Sequence, residues 1–571
     1  MCIRDRVHPI TSYLDAADIL RVARDADADA VHPGYGFLAE NAEFARAVSA
    51  GGLRWIGPPL DAIAAMGDKA GARRHAAAQG VPTIPGYDGD AQSNERLIGE
   101  ADRIGYPLLV KPSAGGGGKG MRVVRAKADL KEALDGARRE AHRSFGSDRL
   151  ILERYLEGPR HVEIQVLFDA HGDGVHLGER DCSTQRRHQK IVEEAPAPSV
   201  TPELRQRMGE AALKVAAAVG YQSAGTVETL LTDAGDFYFL EMNTRLQVEH
   251  PVTEAVTGRD LVADQLRIAR GDTLSSLGLR TPPSIRGHAF EARIYAEDPE
   301  SGFLPATGRL THLRWPDGVR IDTGVRQGDL VSDRYDPMLA KLIVHGRSRA
   351  DALGRLRAAL VETTILGVRT NLRFLRWLLD EGPMRDGEMR TDTIGRLDLP
   401  VEPVADASHW ASAASLLRSG AADPWSDGWR LNAPATLGLR HGDEERSVEL
   451  GEAAEQVAVR DGGVAHVDVD GQSLEFVVAA PPTVEAAARH ASAAGDAGTS
   501  VLSAPMPGRV IAVRAVEGAS VAEHQTLIVI EAMKMEHAVV APRAGTLIRL
   551  MVIEGQQVQR GDVLAEVASL A

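Results

Sequence analysis

Lys534 stands between two methionines in Ile530-Glu531-Ala532-Met533-Lys534-Met535-Glu536, a run of good helix formers set where the surrounding pattern requires a hairpin turn. The flanking sequence repeats itself. Ala504-Pro505, Gly508, Gly518, Val521 and Leu527 return as Ala541-Pro542, Gly545, Gly555, Val558 and Leu564, each 37 positions further on. Two copies of one β-unit put strands at 527–530 and 538–540, with the Lys534 amine at the turn between them. A turn built against its local preference is where function is to be sought.

Four other stretches carry groups suited to phosphate, metal and anion chemistry. Val110-Lys111-Pro112-Ser113-Ala114 leads into Gly115-Gly116-Gly117-Gly118-Lys119-Gly120 and out through Met121-Arg122-Val123-Val124. Glycines let backbone N–H groups close on phosphate oxygens, and no Gly-Lys-Ser/Thr opens a helix here. The pattern is therefore a strand–glycine–strand lid with Lys111 at its root, not a Walker loop. Gly225-Thr226-Val227-Glu228 and Phe239-Leu240-Glu241-Met242-Asn243 flank the turn Asp233-Ala234-Gly235-Asp236, a hairpin in which Glu228, Glu241 and Asn243 offer hard oxygen ligands to Mg²⁺. The run from Arg180 to Lys190 is dense in cations. Arg245, Gln247 and Glu249 alternate, facing one side of an extended chain. Bicarbonate needs such a pairing, an arginine for its charge and a base for its proton.

Several domains must position these groups. The chain has 571 residues, 25% charged and 44% hydrophobic, as in ordinary globular protein. A net charge of −15 leaves no basic footprint for nucleic acid or an anionic membrane, and no apolar run is long enough to span a bilayer. There is no signal peptide, and two cysteines, Cys2 and Cys182, make no disulfide framework, so a reducing cytoplasm is expected. Residues 8–56 alternate helix (14–23, 41–48) and short strand (30–31), which predicts a parallel sheet. Residues 406–482 change to short punctuated strands, the pattern of a small β-barrel. Residues 483–500, rich in Ala with Gly, Ser and His, read as a tether that lets the Lys534 unit visit distant sites.

The Lys534 repeat resembles the biotinyl domain of biotin-dependent carboxylases, in which the hairpin lysine carries biotin. A lipoyl domain shares the flattened barrel, but its lysine usually follows an aspartate. His32-Pro33-Gly34-Tyr35-Gly36-Phe37, Met66-Gly67-Asp68-Lys69, the glycine loop, Arg180–Lys190, 241–251 and Glu291-Ala292-Arg293-Ile294-Tyr295-Ala296-Glu297-Asp298-Pro299 resemble biotin carboxylase, an ATP-grasp enzyme. The whole is similar to the α subunit of acyl-CoA carboxylases. The resemblance implies an α/β and α+β multidomain fold: a remnant of the N-terminal parallel sheet at 7–67, an ATP-grasp domain at 68–271 and a biotin carboxylase C-terminal domain at 285–397. Beyond these it implies a β-barrel docking domain at 405–482, a linker at 483–500 and a flattened-barrel biotinyl domain at 501–571.

By the same resemblance Lys69, Lys111, Glu153, Leu156, His161, Gln185 and His188 surround ATP together with Gly115, Gly116, Gly117, Gly118 and Gly120. Glu228, Glu241 and Asn243 hold Mg²⁺ or Mn²⁺. Lys190, Arg245, Gln247 and Val248 bind bicarbonate, which Glu249 deprotonates for attack on ATP, and Arg293 stabilises the biotin enolate that accepts CO₂. Cys182 falls in the site as a packed spectator thiol. Implied partners are a carboxyltransferase β subunit, biotin protein ligase and further copies of the carboxylase within a hetero-oligomer. No stretch is left over for a transferase. The acyl-CoA, whether 3-methylcrotonyl-, acetyl- or propionyl-CoA, is then chosen by the β subunit. Two other readings are an ATP-grasp carboxylate–amine ligase, which has no use for Lys534, and an inactive biotin carrier. The latter arises because residues 1–6 read as a non-native leader and the family's first strand–helix unit has no counterpart here. Loss of that unit is expected to expose apolar sheet surface and to impair folding or activity.

Overall fold

The computed structural model describes residues 8–113, 121–418, 434–451, 456–479, 499–532 and 535–569. The leader 1–6, the loop glycines Gly115 to Gly120, nearly all of the 483–500 tether and Lys534 lie outside them. The chain forms two units: Met1–Ala292 with Ile343–Leu356 and Glu381–Leu397, and Arg293–Leu342 with Arg357–Asp380 and Asp398–Ala571.

In the first unit the expected parallel pair is present as β1 (Ala30–Val31) and β2 (Arg54–Trp55), with a helix at Ala42–Ala50 capped by the Asn41 side chain. Four strands follow: β3 (Gly86–Tyr87), β4 (Leu108–Pro112), β5 (Arg122–Val124) and β6 (Leu150–Arg154), in the order β3-β6-β4-β5. β4 and β5 pair antiparallel, Val110 opposite Arg122, so the two strands predicted to flank the glycine run are neighbours.

The larger sheet is antiparallel and carries β7 (Arg160–Phe168), β8 (Gly174–Arg186), β9 (Gln189–Ala195), β10 (Ser223–Leu231), β11 (Phe237–Asn243) and β12 (His288–Tyr295), in the order β11-β10-β7-β8-β9-β12. Side chains alternate faces along a strand. On β7, Val162, Ile164, Val166 and Phe168 therefore enter the core with Leu204, Met208, Ala212 and Val215 of the helix Pro202–Ala217. Burying one such side chain contributes roughly 1.5–3 kcal/mol. The same alternation turns His161, Glu163 and Gln165 to the other face, where they are also buried. A strand buried on both faces, one of them polar, builds a site.

In the second unit, residues 436–478 form an antiparallel sheet whose order runs Glu444–Glu449, Thr436–His441, Gln472–Val478, Val464–Val469, Ala458–Asp461. Among the described residues its two edge strands do not pair, so a closed barrel is not seen. The sheet packs instead on a helix, Ala407–Leu417, that the strand-only reading of 406–482 omitted. Trp410, Ala413, Ala414 and Leu417 recur at helical spacing and pack with Leu439, Val467 and Phe476, and Asp406 with His409 forms a capping box.

The 37-residue repeat is two four-stranded sheets rather than one closed ring among the described residues. One runs Thr499–Ser503, Val563–Ser569, Gly545–Leu550, Ser520–Val521; the other Met535–Val540, Thr526–Ala532, Gly508–Val513, Gln557–Val558. The symmetry extends to side chains. Glu554 accepts from Val513 N and Glu517 from Leu550 N, and each partner of one bond lies 37 residues from its counterpart in the other. Ala532 opposes Met535, so the strands on either side of the Lys534 position pair antiparallel in direct register. Gly508 and Gly545 are the repeat's two close approaches. A Cβ on Gly508 would sit 2.7 Å from the Glu531 carbonyl oxygen, and one on Gly545 would run into that of Ala568. Gly545→Ala is expected to cost about 1–3 kcal/mol, read as faster amide exchange along Val563–Ser569. Unchanged protection there would contradict the close approach.

Candidate active site

Strand register lays the charged groups in rows. Glu228 of β10 lies opposite Glu163 of β7, and Glu163 opposite Arg180 of β8. Glu228 also faces Glu241 of β11, with Asn243 two residues on, so the three oxygen-bearing side chains share one face as the hairpin register required. Glu228 is the hub. Its Oε1 accepts from Asn243 Nδ2 (2.8 Å), Gln247 Nε2 (2.9 Å) and Lys190 Nζ (3.1 Å), and Oε2 pairs with His161 Nε2 (2.8 Å). The Lys190 ammonium also donates to Glu163 (2.7 Å) and Glu249 (2.5 Å). Glu163 and Glu249 are fully buried. Ions removed from water in this way hold only as a mutually satisfied set.

Residues 245–249 are not extended. The chain turns there, and Glu249 stands at the N-cap position of the helix His250–Thr257 without a side-chain capping bond, with Pro251 in the first turn, where the missing N–H costs nothing. Arg245, Gln247 and Glu249 converge all the same, because the turn rather than β alternation aims them. Arg245 Nη1 donates to Gln247 Oε1 (3.0 Å) and Nη2 to Asn243 Oδ1 (3.1 Å). Val248 is half-buried between them.

Of the expected nucleotide residues, Lys69 opens the helix Lys69–Ala78 behind the Asp68 cap and pairs with Glu241 at 3.0 Å. Lys111 and Glu153 sit diagonally on β4 and β6 and pair at 2.7 Å. His188 and Arg187 form the two-residue β8–β9 turn with φ of +68° and +47°, a left-handed geometry usually left to Asn-Gly. Such a turn is strained for these residues and fits a functional position. Gln185 is buried opposite Lys190. Leu156 lines a cavity of about 420 Å³ with Pro107, Tyr155 and Pro159. Arg293 belongs to the second unit, on β12, where its carbonyl accepts from Asn371 Nδ2 (3.0 Å) and its Nη1 lies 3.5 Å from the Tyr295 hydroxyl.

Charge states follow from these neighbours. Burial works against the Lys190 ammonium, but the carboxylates of Glu163, Glu228 and Glu249 around it hold its pKa well above the ordinary value. Burial likewise opposes ionisation of Glu228, yet Lys190 and His161 keep it well below the usual carboxylate range. For His161, burial is outweighed by Glu228 and the imidazole is pushed up. His188 is pushed down by burial and then by the charges of His161 and Lys69. Lys69 is raised because Glu241, Glu228 and Glu153 together outweigh its burial, which ties the smaller sheet's carboxylate to the larger sheet's. Burial and Glu163 drive the Cys182 thiol well up, so 3.9 Å from Glu249 it is a neutral neighbour and no nucleophile. Glu163, Arg180, which the sequence marked only as the head of the cation run, and Glu40 had no individual role predicted for them. The first two were visible as ionic residues inside buried strands. Glu40 acts through a tertiary contact that no local pattern marks.

Comparison with known proteins shows the family of the chain. Residues 1–63 match the family described as biotin carboxylase, N-terminal domain, residues 68–277 the carbamoyl-phosphate synthase L chain ATP binding domain, residues 291–396 the biotin carboxylase C-terminal domain, and residues 500–567 the biotin-requiring enzyme family. The mitochondrial methylcrotonoyl-CoA carboxylase subunit alpha of Dictyostelium discoideum is 42% identical over 94% of this chain and 84% of its own length. The chain belongs to the biotin-dependent acyl-CoA carboxylase α subunits. The mitochondrial propionyl-CoA carboxylase alpha chain of Caenorhabditis elegans is 40% identical over 92% of this chain and 81% of its own. The biotin carboxylase domain of Hydrogenobacter thermophilus 2-oxoglutarate carboxylase, solved with MgADP, ADP and bicarbonate, is 43% identical with a TM-score of 0.65 over 68% of this chain and 86% of that one. Rhizobium etli pyruvate carboxylase gives 40% and 0.67 over 73% and 38%. This α subunit is thus an ATP-dependent biotin carboxylase with its biotin carrier on the same polypeptide, using ATP, Mg²⁺ and biotin. Among its described residues no helix is long and apolar enough to cross a membrane.

Proposed function

We propose that the Lys190–Glu249–Arg245–Gln247 cluster is the bicarbonate site and Glu249 its base. Arg245, Gln247 and the Val248 backbone hold the anion. Lys190, 2.5 Å from Glu249, stabilises that carboxylate in its ionised form, ready to take the bicarbonate proton onto an Oε atom. Glu228, Glu241 and Asn243 suit Mg²⁺, because the donor set is hard oxygen on one face of a hairpin. Lys69, Lys111, His161, Gln185, His188 and the Gly115–Gly118 and Gly120 loop hold the nucleotide phosphates, with Glu153 and Leu156 at its far end. Bound MgATP supplies the phosphoryl group that activates bicarbonate, and biotin supplies the ureido nitrogen that takes up the carboxyl. Lys534 carries that biotin, and Arg293 steadies its ureido oxygen.

The carried carboxyl goes to a carboxyltransferase β subunit acting on an acyl-CoA, of which 3-methylcrotonyl- and propionyl-CoA have support from the relatives' names. Biotin protein ligase loads Lys534, the carboxylase self-associates within a hetero-oligomer, and the assembly works in the cytoplasm. The observation that carries this reading is the buried ammonium shared by Glu163, Glu228 and Glu249. The test is to co-express the chain with biotin protein ligase, map the adduct by peptide mass and follow ADP release. An adduct on Lys534 and bicarbonate-dependent release support the reading. An unmodified Lys534, or release indifferent to bicarbonate, overturns it.

A further inference from the structure

The geometry points to Glu40 as a positioning residue that fixes the bicarbonate-holding face of Arg245. This rests on the proposed bicarbonate site and adds a part to it. Glu40 lies outside the buried cluster, on the turn before the helix Ala42–Ala50, and its side chain keeps 41% of its exposure. Its carboxylate makes two contacts to consecutive residues of the bicarbonate turn: Oε1 accepts from the Thr244 backbone N–H (3.1 Å) and Oε2 from Arg245 Nε (2.8 Å). One carboxylate therefore holds both the main chain and the guanidinium.

A guanidinium has five N–H donors in a fixed plane. Glu40 takes the Nε donor. That orients the far edge, where Nη1 reaches Gln247 Oε1 and the Leu246 carbonyl and Nη2 reaches Asn243 Oδ1. Of the two Nη2 hydrogens the hydrogen bonds among the described residues use one, to Asn243 Oδ1, which leaves that nitrogen a donor for an anion. A planar oxyanion takes hydrogen bonds best from such an edge. Without Glu40 the guanidinium keeps only its Nη contacts, part of its ordering falls to the anion, and binding would weaken.

The turn that carries Glu40 is itself held. Asn41 caps the following helix through Phe44 N (2.8 Å), and Asn41 N donates to Leu38 O (3.1 Å). Upstream, His32 Nε2 meets Gln265 Oε1 (3.1 Å), whose amide donates to Ser223 Oγ on β10 (3.1 Å). Glu40 is thus a fixed point delivered by the N-terminal segment to the ATP-binding sheet.

The test reads Arg245 directly and needs no turnover. Modification of Arg245 by phenylglyoxal is followed by peptide mass in the full chain, normalised to Arg347, which is 94% exposed, over a range of bicarbonate concentrations. In the parent chain bicarbonate is expected to protect Arg245. In Glu40→Ala the concentration for half-protection is expected to rise about tenfold, and in Glu40→Gln, which keeps the acceptors but not the charge, by less. Protection by ATP at Lys69, read by lysine acylation, and the melting temperature should be unchanged. Half-protection that stays put or falls in Glu40→Ala overturns the assignment. If the parent chain shows no bicarbonate protection, the underlying site is wrong instead. A changed melting temperature together with lost ATP protection means that Glu40 is structural, and equally overturns it.

Discussion

Glu249→Gln is expected to lower bicarbonate-dependent ADP release by about 10²–10⁴-fold, the usual worth of a positioned base. The substitution preserves shape and still offers Lys190 an acceptor, so what disappears is the capacity to take a proton. The nucleotide contacts are on other side chains, Lys69 on its helix, Lys111 on β4 and His161 on β7. The KM for ATP should therefore remain near that of the parent. The loss should sit in kcat, because Arg245 and Gln247 still hold the anion. A variant whose release falls less than about fivefold would assign proton removal elsewhere, and a base worth so little falls outside the range expected of one. Glu163 would then be the next carboxylate to examine, since it shares the Lys190 ammonium.

How much of the fold and the site was legible in the sequence depended on how locally each feature is encoded. The Glu228–Glu241 pairing came through because the turn Asp233-Ala234-Gly235-Asp236 fixes the hairpin register, and register fixes faces. The two-fold repeat came through because one spacing copies both its turns and its close-approach glycines. The helix Ala407–Leu417 was hidden by its surroundings: a single short helix among strands carries only three turns of pattern, and its Ser and Ala positions have no strong polarity. Arg245, Gln247 and Glu249 were expected to converge for the wrong reason, since Pro251 and the helix it begins bend a stretch that alternation would have left straight. Glu163 and Arg180 were passed over because sequence shows charge but not depth, and depth alone turns a common ion pair into a determinant of stability and pKa.

That depth sets the second large effect. Arg180→Met is expected to destabilise the ATP-binding sheet by about 3–5 kcal/mol, the cost of removing one partner from a buried ionic set. Arg180 is fully buried. Its Nε lies 2.5 Å from Glu163 Oε1, Nη1 reaches Gln165 Oε1 (2.8 Å) and Thr253 Oγ1 (2.9 Å), and Nη2 reaches Thr226 Oγ1 (3.1 Å). Methionine fills much of the volume but satisfies none of these acceptors, and Glu163 would keep only Lys190. Glu163→Gln removes the negative end and should cost less, because an amide can still accept from Arg180 and Lys190. In Arg180→Met/Glu163→Gln the penalty should fall well short of the sum of the two single losses, since the double variant no longer buries an under-compensated carboxylate. Amide exchange along β7 and β8 measures this locally, which avoids assuming that a chain of several domains unfolds in one step. Additive losses, or an Arg180→Met cost under about 1 kcal/mol, would mean that the guanidinium is solvated in solution and that the buried row Glu228–Glu163–Arg180 does not persist there.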